Sequence, residues 1–272
     1  MTAVAILGAT GRMGRSLVGL VAAAEDLRLV AATARAGSDW VGRDAGECAA
    51  CGRLDVALGD SPGAAAAVAD VLVDFTLPEA LEANLAAAVA SATPLVIGTT
   101  GLDAAAEAAV ERAAAQVPLV HAANYSSGVT LMRRLVETAA AALDDDYDVE
   151  ILDAHHRHKR DAPSGTAWAL GESVARGRDV ALETRAVVAR DGITGARQPG
   201  SIGFQALRGG DIVGEHTVML AGEGERLEIT HRASSRATFA RGALRAARWV
   251  IGRRPGRYDM DDVLGLTRRA GE

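Results

Sequence analysis

Short apolar runs alternate with helical patterns over the first half of the chain. Runs with little polar interruption are typical of strands that are buried on both faces of a sheet. Such strands are predicted over 3–7, 27–38, 70–76, 93–101 and 117–128, with helices after Gly14 and over 78–91 and 103–116. This alternation predicts a parallel sheet with helices on both faces.

The pattern changes after a predicted amphipathic helix over 126–143. A strand over 147–156 and a helix over 166–177 come next, and strand-like runs follow at 185–190, 200–207, 211–220 and 225–231. Successive strands with little helix between them indicate a mixed or antiparallel sheet. A last helix, over 238–252, is expected to return to the first sheet.

The predicted fold class is therefore α/β with two domains. A Rossmann-like, dinucleotide-binding domain is predicted over 1–126 and 236–272. A smaller α+β domain with a mixed sheet is predicted over 127–235.

Composition narrows the function classes. With 49% hydrophobic and 24% charged residues, the chain has the make-up of a globular protein. A net charge of −6 argues against a nucleic-acid binder, which needs a broad basic surface. No apolar run approaches the roughly 18 residues of a membrane span, and the N-terminus lacks a charged leader segment, so we expect a cytoplasmic protein. Cys48 and Cys51 form a lone pair and are interpreted as structural or incidental.

Three glycines follow the first predicted strand. Gly8, Gly11 and Gly14 have the spacing G-x-x-G-x-x-G and lead into a helix, an arrangement that lets backbone approach a pyrophosphate at a helix N-terminus. Arg12 adds a cation to this loop. A plain strand–turn–helix corner would give the same spacing, but the flanking strand and helix favour a dinucleotide site.

The end of the second strand bears on cofactor choice. An NAD-preferring fold commonly has an acidic residue here that binds the ribose hydroxyls, whereas this chain has Ala34 and then Arg35. With no carboxylate to repel a 2′-phosphate and a guanidinium to bind it, we expect NADPH, with NADH used more weakly.

The ends of the other parallel strands complete the predicted cofactor site. Ligands of open parallel sheets bind at the carboxyl ends of the strands. The residues there are Phe75, Thr76, Gly98, Thr99, Thr100, Ala122 and Asn124.

The stretch AHHRHKRDAPSGTA (154–167) holds three of the six histidines and Lys159, the only lysine of the chain. The alternatives are a solvated basic loop, a metal site and a nucleic-acid contact. A metal site lacks acidic partners at ligand spacing, and a nucleic-acid contact lacks an aromatic platform and a wider basic surface. A histidine that titrates near neutrality, a compact ammonium group and a helix N-terminus opening at PSGT together suit proton transfer to a small anionic substrate. The catalytic interpretation explains most of these features.

Motifs spread over nearly the whole chain resemble those of the dihydrodipicolinate reductase family. They are GATGRMG, DFTLPEA, IGTTG, AANYSSGV, DAHHRHKRDAPSGTA, GSIGF, GDIVGEHTVML and ERLEITHRASSR. The resemblance implies NAD(P)H-dependent reduction of 4-hydroxy-tetrahydrodipicolinate to tetrahydrodipicolinate with loss of water, in lysine biosynthesis. It also implies a homotetramer assembled through the second domain, and no metal.

The resemblance also implies residue roles. His155 would donate the proton, Lys159 would hold a substrate carboxylate and the developing charge, and His156 would lie beside them. Ser164, Gly165 and Thr166 would bind the other carboxylate, together with Arg236. The cofactor would lie along Gly8, Thr10, Gly11, Arg12, Met13, Gly14 and Arg35, with 98–100 and 122–125, including Tyr125, at the nicotinamide.

Alternatives remain at this stage. A reductase of another small dicarboxylate would share the site, and an NADP-binding protein without turnover would need only the nucleotide residues. An aldehyde dehydrogenase would require a cysteine nucleophile in the second domain, where this chain has none.

Overall fold

The computed structural model of the chain describes residues 1–143 and 145–267. It forms two compact units, Met1–Ser127 with Ala237–Glu272, and Gly128–Arg236. The predicted domain range 236–272 ends at residues 268–272, and the range 127–235 includes residue 144; these positions lie outside the described residues.

The strands are β1 Thr2–Leu7, β2 Leu27–Thr33, β3 Leu58–Gly59, β4 Val71–Asp74, β5 Leu95–Ile97, β6 Pro118–His121, β7 Asp148–His155, β8 Ala186–Val187, β9 Ile202–Arg208, β10 Gly214–Ala221, β11 Arg226–Ala233 and β12 Gly256–Tyr258. The α-helices are α1 Arg12–Ala22, α2 Ala45–Cys48, α3 Pro62–Ala66, α4 Pro78–Ala90, α5 Ala104–Ala114, α6 Ser127–Ala142, α7 Gly165–Gly177, α8 Ala237–Val250 and α9 Met260–Leu264. A 3₁₀ turn covers Leu182–Thr184.

The described strands of the first unit form a parallel sheet in the order β12-β6-β5-β4-β1-β2-β3. Successive side chains of β1 pack on opposite faces of the sheet. Val4 and Ile6 pack with α1 and α8, whereas Ala5 and Leu7 pack with α3, α4 and α5. Burial on both faces explains why the strand is an uninterrupted apolar run. The predicted Rossmann-like class is confirmed.

The strand order places the chain's direction change at β1. From β1 the sheet extends in both directions: β2 and β3 lie on one side of β1, and β4, β5, β6 and β12 lie on the other. Leu7 pairs with Asp74, so the loops after β1 and β4 leave the sheet side by side. Such a point is where open α/β sheets bind ligands.

The second unit has a mixed sheet in the order β11-β10-β7-β9-β8 among the described strands. β10 is antiparallel to β7 and β11, while β9 is parallel to β7 and β8. Along β7, Val149, Ile151, Asp153 and His155 are buried in alternation with more exposed residues. The core between the sheet and helices α6 and α7 lies on this face. The mixed sheet predicted from the sequence is confirmed.

Short elements were not anticipated. The periodicity of the sequence does not predict strands β3 and β12 or helices α2, α3 and α9, and the run at 185–190 forms a strand only over Ala186–Val187. Beyond it the chain is held by ion pairs, since Arg190 and Arg197 both bind Glu150. Cys48 is buried at the end of α2 and Cys51 is exposed; both are free thiols. In the described residues no helix is long and apolar enough to span a membrane.

Candidate active site

The loop after β1 is shaped by glycine. Gly8 has a φ of +71°, which an L side chain rarely adopts. A Cβ at Gly14 would lie 2.2 Å from the Gly8 carbonyl oxygen, so only glycine lets α1 start this close to the strand end. Gly11 occupies the N-cap of α1 and has no side chain to bind the first N–H groups. This loop therefore fits a phosphate at a helix N-terminus.

The rest of the predicted phosphate loop lies on α1 or directly before it. Thr10 and Met13 are half-buried, whereas Gly11 and Arg12 are exposed. The Thr10 carbonyl accepts a hydrogen bond from Arg15 Nε at 3.0 Å. The first turn, Arg12 to Arg15, carries two arginines and no carboxylate. Both charge and open N–H groups favour an anion here.

The end of β2 is tied to this loop. The Ala9 N–H donates to the Thr33 carbonyl at 2.7 Å, and the Gly8 N–H donates to Thr33 Oγ1 at 3.3 Å. Ala34 is buried and Arg35 is exposed directly after it. The structure thus joins the end of β2, two residues before Arg35, to the glycine loop.

A buried carboxylate organises the end of β4. Asp74, fully buried, accepts hydrogen bonds from the Thr76 N–H and hydroxyl at 2.8 and 2.7 Å and from Asn84 Nδ2 at 2.8 Å. Burial raises the pKa of the Asp74 carboxyl, although these donors act in the opposite direction. Thr99 Oγ1 donates to the Thr76 carbonyl at 3.0 Å, which joins the ends of β4 and β5.

Aromatic packing fixes the neighbouring strand ends. The Phe75 ring lies directly over Gly98, where a Cβ would be 2.1 Å from the ring. Tyr125 is 2% exposed and its hydroxyl meets the Ile97 and Val120 carbonyls at 2.7 and 2.9 Å. The Tyr125 side chain is therefore part of the core, 5.5 Å from the Phe75 ring. Any contact of Tyr125 with a cofactor would have to be made by its backbone.

The last predicted cofactor positions lie on the loops after β5 and β6. Thr100 is exposed, and the Ala122 N–H donates to the Ile97 carbonyl at 3.3 Å. Asn124 Oδ1 accepts from the Ser126 N–H at 2.8 Å. The structure therefore gathers the strand-end residues of the first unit at one edge of one sheet.

In the second unit, β7 ends at His155 and α7 begins at Gly165. Ser164 is the N-cap of α7, and its hydroxyl oxygen accepts from the Ala167 N–H at 3.2 Å. The same hydroxyl donates to Asp153 Oδ1 at 2.9 Å, and the Ser164 N–H donates to Asp153 Oδ2 at 2.8 Å. His155 Nδ1 is 2.8 Å from Asp153 Oδ1. One carboxylate thus contacts both the predicted proton donor and the predicted carboxylate-binding turn.

Two more basic residues meet Asp153. Arg208 Nη2 binds Asp153 Oδ2 at 3.0 Å, and His216 Nε2 is 3.3 Å from Oδ1. Burial alone would raise the pKa of the Asp153 carboxyl, but the contacts with His155, His216 and Ser164 lower it far below its ordinary value. These contacts favour the ionised form of Asp153.

Asp153, His155 and His216 are the one group among the described residues with the spacing of a metal-ligand set. The carboxylate is already engaged by a hydroxyl, a backbone N–H and a guanidinium. A second positive charge beside Arg208 would be unfavourable, so the donor set fits hydrogen bonding better than a cation. The absence of a metal stays a prediction.

A cationic cluster surrounds the His155 end of β7. The pKa of His156 is lowered by loss of solvation and by the nearby charges of Arg236, His155 and Lys159. The Lys159 ammonium nitrogen Nζ pairs with Asp161 Oδ1 at 2.9 Å. The backbone N–H of Lys159 donates to the His156 carbonyl at 3.1 Å. Gly165 and Thr166 form the first turn of α7, whose N–H groups point out of the helix. This arrangement suits a substrate with two carboxylates.

Three residues of this site were not predicted. Asp153 is in the middle of an ordinary strand pattern, and Arg208 and His216 lie far along the chain on β9 and β10. The alternation of β7 could have found Asp153, because it places a carboxylate on the buried face two residues before His155. No local signal marks Arg208 or His216, because only strand pairing brings them to β7.

Comparison with known proteins gives one family for both units. Residues 2–125 match the family described as "Dihydrodipicolinate reductase, N-terminus", and residues 128–264 match "Dihydrodipicolinate reductase, C-terminus". The protein named 4-hydroxy-tetrahydrodipicolinate reductase from Alkalilimnicola ehrlichii is 61% identical over 267 residues, covering 97% of this chain and 99% of its own. The protein of the same name from Thiobacillus denitrificans is 57% identical over 264 residues, covering 97% and 98%.

A solved structure shares the fold. "Dipicolinate bound Dihydrodipicolinate reductase from Paenisporosarcina sp. TG-14" superposes with a TM-score of 0.75 at 22% identity, covering 95% of this chain and 97% of that one.

Proposed function

The chain belongs to the dihydrodipicolinate reductase family, and from that premise we propose how its residues carry out the family's reaction. The protein is an oxidoreductase that uses a pyridine nucleotide to reduce 4-hydroxy-tetrahydrodipicolinate to tetrahydrodipicolinate with loss of water, in diaminopimelate and lysine biosynthesis. The observation that carries the residue assignment is the position of His155 at the end of β7, followed by a loop in which the Lys159 backbone N–H donates to the His156 carbonyl and by the N-cap of α7 at Ser164.

The substrate's two carboxylates are bound by different kinds of donor. Lys159 exchanges Asp161 for one substrate carboxylate, with His156 beside it. The other carboxylate lies at the N-terminus of α7, where the backbone N–H groups of Gly165 and Thr166 and the Arg236 guanidinium bind it. The Ser164 hydroxyl already donates its hydrogen to Asp153, so Ser164 acts mainly by fixing this turn.

His155 and Lys159 act in the reduction itself, in which a hydride and a proton are added to the substrate. A nicotinamide held at this site would supply the hydride for the conjugated imine that is left when the substrate hydroxyl departs as water. Lys159 stabilises the charge that develops on the substrate ring during this step. His155 gives its proton to the adjacent carbon of the resulting enamine, which completes the reduction. Clamping both carboxylates keeps that carbon within reach of the ring nitrogen of His155.

We propose NADPH as the preferred cofactor, with NADH used more weakly. The exposed Arg35 after β2 offers a guanidinium to the 2′-phosphate, and the neighbouring Ala34 offers no carboxylate to the ribose hydroxyls of NADH. The glycine loop and the N-terminus of α1 would hold the pyrophosphate, and the residues at the ends of β4, β5 and β6 would hold the nicotinamide.

We also propose a cytoplasmic homotetramer assembled through the second unit. Helices α6 and α7 cover one face of its sheet, and residues of the edge strand β11, such as Leu227, are exposed. Light scattering coupled to size exclusion would give four times the 28.0 kDa chain mass. A monomer in solution would contradict the assembly.

The reaction and the cofactor are tested in one coupled absorbance assay. Aspartate semialdehyde and pyruvate, with a synthase, generate the unstable substrate, and oxidation of NADPH and NADH is followed separately. Faster turnover with NADPH supports both proposals, whereas equal rates keep the reaction and remove the cofactor preference. Binding of NADPH without any oxidation would indicate a nucleotide-binding protein or a reductase of another small dicarboxylate.

A further inference from the structure

Asp153 is a buried polar side chain of the second unit to which the proposed mechanism assigns no role. It lies on β7 with 1% exposure, two residues before His155. Its two oxygens meet groups from four segments: His155 on β7 itself, Ser164 before α7, Arg208 at the end of β9 and His216 on β10. A buried carboxylate with this many partners is held in one position.

We propose that Asp153 is a positioning residue that orients the proton donor and the carboxylate-binding turn together. The inference rests on the proposed function, because it acts through the His155 and α7 roles assigned there. Asp153 itself does not contact the substrate in this proposal.

The first part of the argument concerns the His155 ring. Oδ1 of Asp153 is 2.8 Å from Nδ1, so the negative charge favours a proton on that nitrogen. Nε2 is then the nitrogen that faces the substrate. The ring N–H is not in line with Oδ1 in this structure, and catalytic hydrogen bonds often align only when substrate is bound.

Gly214 supports the same orientation. A Cβ at this position on β10 would lie 3.1 Å from His155 Nε2, closer than ordinary van der Waals contact. Glycine therefore keeps a side chain from crowding the nitrogen that Asp153 does not contact. The His216 ring packs edge-on against His155 with centroids 5.2 Å apart, which restricts rotation of the ring.

The second part concerns the turn before α7. Asp153 accepts both the N–H and the hydroxyl of Ser164, so the N-cap of α7 is fixed to β7 through two hydrogen bonds. Arg208 extends the link, because its Nη2 also donates to the Asp161 carbonyl at 2.7 Å, two residues beyond Lys159. A change at Asp153 therefore reaches the proton donor, the α7 turn and the lysine loop.

The main test is a double-mutant cycle in the coupled assay, with Asp153→Asn, His155→Ala and both together. Asp153→Asn keeps the shape of the side chain and removes its charge. We expect its kcat to fall about 100-fold, within the range for general acid catalysis. In the His155→Ala background the same change should lower kcat less than two-fold while still raising the substrate KM. An equal loss of kcat in both backgrounds would overturn the proposal.

The pH profile gives a readout that a purely structural role would not move. The charged groups that face His155 are Asp153 on β7, His216 on β10, Arg208 on β9 and the neighbouring His156. Asp153→Asn removes the carboxylate charge that lies 2.8 Å from His155 Nδ1, so the alkaline fall of kcat should begin at lower pH than in the wild type. Asp153→Glu, which restores the charge, should recover at least ten-fold in kcat and return the profile. An unshifted profile in Asp153→Asn contradicts the inference.

The matched control is Asp148→Asn, the same change at the other end of β7. Asp148 pairs with Arg197 Nη1 at 2.7 Å and meets none of the residues above. Its kcat and pH profile should stay within two-fold of the wild type. A comparable loss in this variant would show that any lost carboxylate on β7 is harmful, and would remove the case for Asp153.

NMR of the wild-type protein gives a further test. It requires a folded variant only to assign the His155 signal. With ¹⁵N-labelled histidine, the neutral form of His155 should carry its proton on Nδ1, the assignment resting on the peak that is lost in His155→Ala. A proton on Nε2 overturns the proposal. Because this readout requires no turnover, it also separates the two failures. An inactive wild-type protein would contradict the proposed function alone. An active wild-type protein with an unaffected Asp153→Asn variant would contradict this inference alone.

Discussion

The two units build their sites by different means. In the first, the loop after β1 is defined by what is missing: no Cβ at Gly8 or Gly14 and no side-chain cap at Gly11. In the second, charged side chains converge on Asp153 and on the lysine loop. The cofactor site is thus made by close backbone approach, and the substrate site by charge placed on a rigid sheet. The difference predicts which substitutions each site tolerates.

The largest effect is expected for Gly14→Ala. Its Cβ would lie 2.2 Å from the Gly8 carbonyl oxygen and 2.6 Å from Ala9 Cα, both backbone atoms that cannot move aside. NADPH affinity, measured by fluorescence titration, should fall at least about 100-fold, because the loop must shift away from the pyrophosphate. Circular dichroism separates this from unfolding.

The control for this variant is Gly19→Ala in the same helix. Its Cβ would meet its nearest neighbour, Cys51 Cβ, at 4.0 Å, which is ordinary contact. Alanine should stabilise the helix by about 0.5–1 kcal/mol and leave NADPH affinity unchanged. Equal losses in the two variants would refute the view that the close approach is specific to the phosphate loop.

Lys159→Arg tests the substrate site. An arginine keeps the charge but not the compact ammonium, so kcat/KM should fall roughly 100-fold while the melting temperature stays the same. Arg160→Lys, the neighbouring exposed cation, is the control and should be neutral. Near-normal turnover of Lys159→Arg would mean that charge alone suffices and that Lys159 lacks the assigned role.

Arg35→Ala tests the side chain that the cofactor preference depends on. We expect KM for NADPH to rise about ten-fold, equivalent to about 1.4 kcal/mol, and KM for NADH to stay the same. Arg28→Ala, an exposed arginine on the same strand, should change neither. Parallel losses for both cofactors would show that Arg35 does not read the 2′-phosphate.

The smallest effect is expected for Tyr125→Phe. The hydroxyl contacts two backbone carbonyls in the core, so its loss should lower the free energy of unfolding by about 1–2 kcal/mol and leave the KM for NADPH unchanged. Tyr258→Phe removes an exposed hydrogen bond to the Arg254 carbonyl and should cost less. Denaturant titration measures both, and a raised KM in Tyr125→Phe would place this hydroxyl at the cofactor.

The sequence by itself determined the architecture of both units. Continuous apolar runs such as Val4–Leu7 require burial on both faces, and the alternation along β7 requires burial on one. These periodicities are local, so they are readable without knowing the partners. The glycine spacing and the segment around Lys159 are equally local, and they marked the loop after β1 and the turn before α7.

Only the tertiary structure decided which distant residues share a site. Arg208 and His216 reach Asp153 through the pairing of β7 with β9 and β10, which depends on strand register across more than 50 residues of sequence. β12 is only three residues long, too short to show a period, and is a strand because β6 offers it an edge. Tyr125 likewise lies in a sequence motif near the cofactor loop, but packing turns its side chain into the core. Local patterns specify elements, whereas register and packing specify which side chains meet.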